Sequence, residues 1–387
     1  MTTKSTFLVS TIMISGFLVV GQIYAVIPML DAIRTEFDVT TARASLVATV
    51  FGLSFAAGVV VFGPIADMVD RARLLVGGLA ALALASLAVA ATDDFSSLVA
   101  SRALQGFVSA SFPATALALV ADRIAREQQP PAFSMLGFAF LSSAPLSQLI
   151  VAELSLPISA VMTGAALLYL LCAVATYVAA RLLPTPERSA APAGGDADPA
   201  ADATFPSLAA VILAPSAVLF GFVAFHAAAQ LMSGRDPAID PDQLRLLGFV
   251  PLLLCFAAPA ISKRHGPAFT ASAGIFLIAV AMIVAISGQM PLASVTVSAG
   301  VALAVPGLIA TVSFWSGDAV RARAMATYTF LLFVGASVAP LFVAAVVEFD
   351  MRLAFLLPAA LAATASSLLF VAHEIRRRRL AAADAPI

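Results

Sequence analysis

Apolar residues gather along the chain into runs of about twenty or more, each closed by a short stretch bearing charge, proline or glycine. A membrane-spanning helix needs about 20 mostly apolar residues. Runs of that kind fall at 7–30, 43–65, 74–91, 96–120, 131–153, 157–183, 207–232, 243–261, 268–287, 291–315, 324–347 and 352–373. The pattern predicts an all-α polytopic membrane protein with twelve transmembrane helices. Lys4 precedes the first run, as the basic start of a signal peptide would. That run is too long for one, shows no clear small-residue cleavage site and leads directly into further spans. A spanning helix is therefore expected there.

One segment breaks the pattern. "PTPERSAAPAGGDADPAADATFP", 184–206, is rich in Pro, Ala, Gly and Asp and has no apolar periodicity. Such a composition buries no core and reads as a flexible linker. It divides the chain into an N-terminal six-helix bundle at 1–183, the linker at 184–206 and a C-terminal six-helix bundle at 207–387. The halves repeat weakly. Ala144-Pro145-Leu146 recurs as Ala339-Pro340-Leu341 and Glu153 as Glu348, all at an offset of 195. The basic loop at Arg123 and Arg126 recurs at Arg321 and Arg323. A duplication giving two pseudo-symmetric bundles is expected. Pro145 and Pro340 each free a backbone carbonyl and mark expected helix bends.

Composition strengthens the membrane reading. The chain is 61% hydrophobic and 11% charged, against about 25% charged in a soluble domain. A net charge of −1 gives no basis for a nucleic-acid partner. Cys172 and Cys255 both sit in apolar runs, without metal spacing or a disulfide framework. No metal or cofactor is expected. Basic residues set the orientation. With the N-terminus inside, Lys4, Arg71, Arg73, Arg123, Arg126, Arg181, Arg188, Lys263, Arg264, Arg321, Arg323 and Arg376 to Arg379 are cytoplasmic. Only Arg34, Arg43, Arg235, Arg245 and Arg352 lie opposite. The positive-inside rule then places both termini in the cytoplasm.

Three places carry candidate chemistry. "GPIADMVDRAR", 63–73, puts Gly63, Asp67, Arg71 and Arg73 between the second and third spans. A carboxylate at Asp67 can sit against a helix N-terminus, worth about 0.3–1 kcal/mol, with arginines beside it. "LVASRALQGFVSA", 98–110, places Arg102 about 9 Å into the fourth span at 1.5 Å per residue. A charge at that depth needs partners or an escape to the interface. Gln105 shares its face, and Gly106 lets another helix approach closely. In the seventh span Phe222, His226 and Gln230 form an aromatic–imidazole–amide stripe. Imidazole titrates near physiological pH. No Asp or Glu lies mid-membrane in any span.

Two six-helix halves, a linker and these motifs resemble the major facilitator superfamily over nearly the whole chain. The superfamily's loop signature is matched at Gly63, Asp67, Arg71 and Arg73. Met68 stands where an Arg is usual, and Asp70 where a Gly gives the turn its backbone freedom. The resemblance implies a gate that holds the cytoplasmic side closed. Leu98, Arg102, Gln105 and Gly106 match the family's fourth-helix pattern, whose arginine is assigned to proton transfer in related exporters. The exporter pattern of span five survives only as Pro145, with Ala144 as a small substitute. In span one, Tyr24 stands where twelve-helix drug:proton antiporters commonly carry an Asp, and Pro28 is kept. The fold implies that spans one, four, seven and ten line a central cavity. Gln22, Tyr24, Gln105, Phe222 and Gln230 are the expected cavity residues. Arg102 and His226 are the expected charge or proton-coupling groups.

The expected function is secondary transport of a small organic molecule across a bacterial-type cytoplasmic membrane, by alternating access. Proton-coupled efflux by a monomer is expected, the proton being the coupling ion. The alternatives are an uptake symporter or uniporter of the same fold, and a transport-inactive receptor or assembly partner. An enzyme is not expected, since no HExxH, GxSxG or paired intramembrane aspartates are present.

Overall fold

The computed structural model describes residues 2–44, 46–183, 205–233, 236–316, 321–347 and 349–383. Most of the expected linker, 184–204, lies outside the described residues, as does Glu348. The side chains of Asp67, Arg321, Arg323 and Pro340 lie outside them too. Every element is helical: α1 Thr3–Ala25, α2 Leu30–Glu36, α3 Thr41–Ala44, α4 Leu46–Met68, α5 Arg71–Ala90, α6 Phe95–Ser109, α7 Pro113–Arg123 and α8 Gln129–Leu154. Then follow α9 Ile158–Leu182, α10 Phe205–Ser233, α11 Pro241–Phe249, α12 Ala258–His265, α13 Pro267–Ile286, α14 Met290–Trp315, α15 Arg321–Val347 and α16 Leu353–Ala383. The helix α10 begins inside the stretch read as linker.

Among the described residues, ten helical stretches are long and apolar enough to cross a membrane. The two remaining predicted runs have their own helices. At 243–261 the span is broken: Pro241–Phe256 and Ala258–His265 meet at a 46° bend. At 324–347 stands the shorter apolar helix Ala324–Ala339, within α15. The breaks follow proline, which has no N–H to give the helical ladder. Pro28 sits in the 3₁₀ turn Ile27–Met29 that ends α1. Pro113 opens α7 after the interruption at Ala110–Phe112, and Pro251 starts the 3₁₀ stretch Val250–Phe256.

The chain divides into two compact units, one of 1–184 with 319–330, the other of 185–318 with 331–387. In the first, α5 packs on α6 and α9, α4 on α6, and α1 on α8 and α9. In the second, α13 packs on α14 and α16, α11 and the 3₁₀ stretch on α14, and α10 on α16. Four of these pairings have counterparts in the second unit: α5–α6 in α13–α14, α5–α9 in α13–α16, α4–α6 in α11 and the 3₁₀ stretch on α14, and α1–α9 in α10–α16. Small residues allow the close crossings. A Cβ at Gly106 would meet the backbone of Phe51, and one at Gly274 the backbone of Gly300 and Ala304. Outward faces stay apolar: Leu167, Leu171 and Val174 of α9 are 59%, 65% and 63% exposed. Apolar patches of that extent need a nonaqueous neighbour.

Candidate functional site

Helix α6 is started by Asp94, whose carboxylate accepts from the Ser96 and Ser97 N–H groups at 2.9 and 3.0 Å. From that cap the helical repeat puts Leu98, Arg102, Gln105, Gly106 and Ser109 on one buried face. Arg102 is fully buried. Its Nε donates to the Val47 carbonyl at 3.3 Å, Nη1 to Gln105 Oε1 at 2.5 Å and Nη2 to the Gln22 carbonyl at 3.2 Å. Its Cζ lies 4.3 Å from the Phe51 ring centroid. Among the described residues no carboxylate forms an ion pair with it.

Gln22 lies in the last turn of α1, where helix carbonyls lack intrahelical donors. Arg102 therefore supplies a missing hydrogen bond and places its charge at the negative end of the helix dipole. A hydrogen bond to a charged group contributes about 1.5–3 kcal/mol, so three of them and the ring offset much of the cost of burial. Arg102 is an interhelix charge and does not escape to the interface. Gln105 extends the network: its Nε2 donates to Ser86 Oγ at 2.7 Å, with Met162 Sδ at 3.7 Å. The Tyr169 hydroxyl donates to the Leu18 carbonyl at 3.1 Å and is met by the Gln22 side chain. Gln22 Oε1 is buried without a partner. The structure thus brings Gln22, Arg102 and Gln105 together, with Gln22 meeting Arg102 through its backbone carbonyl. Phe51, Ser86, Met162 and Tyr169 went unnoticed, since nothing local distinguishes them from packing residues.

A second cluster lies at the α4–α5 turn. Asp70 has φ −59 and ψ 122, an ordinary extended backbone, and accepts from the Arg73 N–H at 2.8 Å. It caps α5, so the turn does not need the glycine usual there. Arg71 pairs with Asp122 at the end of α7. The largely buried Arg123 reaches Asp70 at 3.9 Å. It also donates to the Ala180 carbonyl at 3.0 Å and to that of Leu183, at the close of α9. Two arginines and two carboxylates therefore tie the turn to the ends of α7 and α9. Gly63 is buried, and a Cβ there would come within 3.0 Å of the Ala326 side chain. The Arg73 side chain is exposed. The sequence signal for Asp122 and Arg123 was available: they are the charges that close an apolar span.

In the second unit the His226 ring packs edge-on against Phe222 at 4.7 Å and Phe225 at 5.2 Å. Gln230 is exposed, and its Oε1 accepts from Arg245 at 3.2 Å, which also pairs with Asp242 at 2.6 Å. Tyr24 is half-buried in the last turn of α1, and Pro145 lies inside the continuous α8. Among the described residues no group of three or more His, Cys, Asp or Glu is placed to hold a metal.

Comparison with known proteins bears on both units. The chain shares 29% identity over 110 residues with the uncharacterized MFS-type transporter YybF of Bacillus subtilis, covering 28% of this chain and 27% of YybF. It shares 33% identity over 91 residues with the inner membrane transport protein YajR of Escherichia coli, covering 24% of this chain and 20% of YajR. The matched stretches thus span about a quarter or less of those relatives. The fold is similar to the human organic anion transporter MFSD10 (TETRAN), with a TM-score of 0.67 at 16% identity, covering 96% of this chain and 99% of that one. The sequence profile of the Major Facilitator Superfamily matches residues 12–258, more than half of the chain. By that match and by its fold, the chain belongs to the Major Facilitator Superfamily of membrane transporters.

Proposed function

We propose that the chain exports a small organic molecule across the cytoplasmic membrane in exchange for protons, by alternating access. The observation that carries this reading is the ionic cluster of Asp70, Arg71, Asp122 and Arg123 at the α4–α5 turn. Partly exposed pairs of this kind break and re-form at modest cost, as a reversible gate must. The positive-inside count supports a cytoplasmic place for this turn and both termini. The name of the relative YajR, an inner membrane transport protein, agrees with an inner-membrane location. Proton coupling is supported by the fit of Leu98, Arg102, Gln105 and Gly106 to the family's fourth-helix pattern, whose arginine is assigned to proton transfer in related exporters. His226 is the second candidate.

The interior of the first unit holds one buried charge among the described residues, Arg102. It favours an apolar or singly anionic cargo over a polycation. The chain acts as a single copy in this reading. Everted membrane vesicles give the test: adding a substrate outside releases protons from the lumen of an antiporter. A second reading, uptake or uniport by the same fold, is favoured by Tyr24 at the position of the antiporter carboxylate. Under it, substrate moves without proton release.

A further inference from the structure

At one end of the second unit, two helices bring cations together. Helix α12 closes with Lys263 and Arg264, both exposed. Helix α16 carries Arg376 to Arg379 just before its last turn. The His373 ring packs on Gly266, where a Cβ would come within 2.8 Å of it, and it bonds the backbone of His265. This clasp sets the two basic ends side by side. Gly266 has φ +91, a conformation that admits the turn and leaves room for the ring. At the same end Arg376 lies 5.6 Å from the ring of Trp315, which closes α14. Among the described residues of this end Glu374 is the one carboxylate, and it is engaged by Arg377 and Arg378.

The length of α16 places this end at the membrane surface. Its 31 residues span about 46 Å at 1.5 Å per residue, against a hydrocarbon core of about 30 Å. Tryptophan and arginine are favoured in the headgroup layer beyond that core. Phe370 and Val371, 45% and 44% exposed, lie on the same helix just before the basic run. Cations in the headgroup layer with exposed apolar side chains beneath them match an anionic phospholipid at both of its ends. We propose that the α12–α16 end binds anionic phospholipid, the phosphate at Lys263 and Arg264 beside the basic run of α16 and an acyl chain along Phe370 and Val371. The charge excess supplies attraction, and the apolar strip separates a lipid from a free phosphate.

Full-length protein equilibrated in detergent with equal amounts of phosphatidylglycerol and phosphatidylcholine, then read by native mass spectrometry, tests this. Wild type retains phosphatidylglycerol several-fold over phosphatidylcholine. The exposed triple variant Lys263→Gln/Arg264→Gln/Arg379→Gln loses that preference, while Arg352→Gln, just before the opposite end of α16, keeps it. Excess glycerol phosphate does not displace the lipid. No preference in wild type, an undiminished preference in the triple variant, or displacement by glycerol phosphate overturns the proposal.

Discussion

Arg102 lies over the ring of Phe51, its Cζ 4.3 Å from the centroid. The backbone of that same Phe51 meets Gly106, one turn further along α6. The glycine that brings α4 against α6 therefore also brings the aromatic face to the charge. A desolvated cation over a ring gains about 2 kcal/mol, in a place where, among the described residues, no carboxylate pairs with it.

This geometry predicts a graded response at Arg102. Lysine keeps the charge but lacks the planar fork that reaches Val47, Gln105 and Gln22 at once. Arg102→Lys is expected to lower flux several-fold, and Arg102→Ala to abolish it. Both insert normally, since one arginine changes insertion energy by about 2.5–3.5 kcal/mol. Flux in proteoliposomes, normalised to reconstituted protein, decides. Wild-type rates for the lysine variant return Arg102 to a packing role.

The Arg71–Asp122 pair is expected to set the balance between conformations. Its partial burial places its worth between the ~0.2–1 kcal/mol of an exposed pair and the ~3–5 kcal/mol lost on breaking a buried one. Asp122→Asn, Arg71→Gln and, by the family pattern, Asp67→Asn should each lower transport at normal expression. Each should also raise labelling of cysteines placed along the α4–α5 turn. The swap Arg71→Asp/Asp122→Arg should recover part of the loss. Unchanged labelling and flux in all of them would contradict the gate.

Helix crossing makes a contrast between two glycines. A methyl at Gly106 runs into the Phe51 backbone, whereas one at Gly164, on the exposed face of α9, meets nothing within 4 Å. Gly106→Ala should lower the melting temperature in detergent and reduce folded yield. Gly164→Ala should be neutral or gain about 0.5–1 kcal/mol from helix propensity. Equal melting temperatures would show that the α4–α6 crossing relaxes freely.

Asp94 gives a pH dependence. Its carboxyl is held below the ordinary aspartate range, first by the Ser97 backbone N–H and then by the Ser97 side chain, with Ser96 adding to them. A folded pKa below the unfolded one means that the charged cap stabilises above the unfolded value of about 3.9. That contribution is lost as pH falls through the lower folded value. The melting-temperature gap between wild type and Asp94→Ala should be full at neutral pH and narrow in acid. A gap independent of pH would contradict the charged cap.

The spans were legible because a bilayer demands unbroken apolar length, and length survives in a bare sequence. Their breaks at Pro28, Pro113 and Pro251 were less so, because a proline can bend, end or merely sit in a helix according to its tertiary neighbours. Arg102 and Gln105 were legible as one charge and one amide on a shared face. Their partners were not: Val47 and Gln22 offer backbone carbonyls, which carry no residue signature, from far along the chain. Asp70 shows the opposite case. Read against the family it looked like a lost glycine, yet a side chain that caps α5 and faces Arg123 does the turn's work by other means.

The measurement closest to the central claim is substrate flux under an imposed pH gradient. A ligand found by thermal shift is loaded with purified protein reconstituted in proteoliposomes, with the lumen acid or matched to the outside. Antiport predicts accumulation against the substrate gradient when the lumen is acid, its collapse on adding a protonophore, and its loss in Arg102→Ala. Flux that only runs downhill, at the same rate whatever the pH gradient, would contradict proton-coupled export.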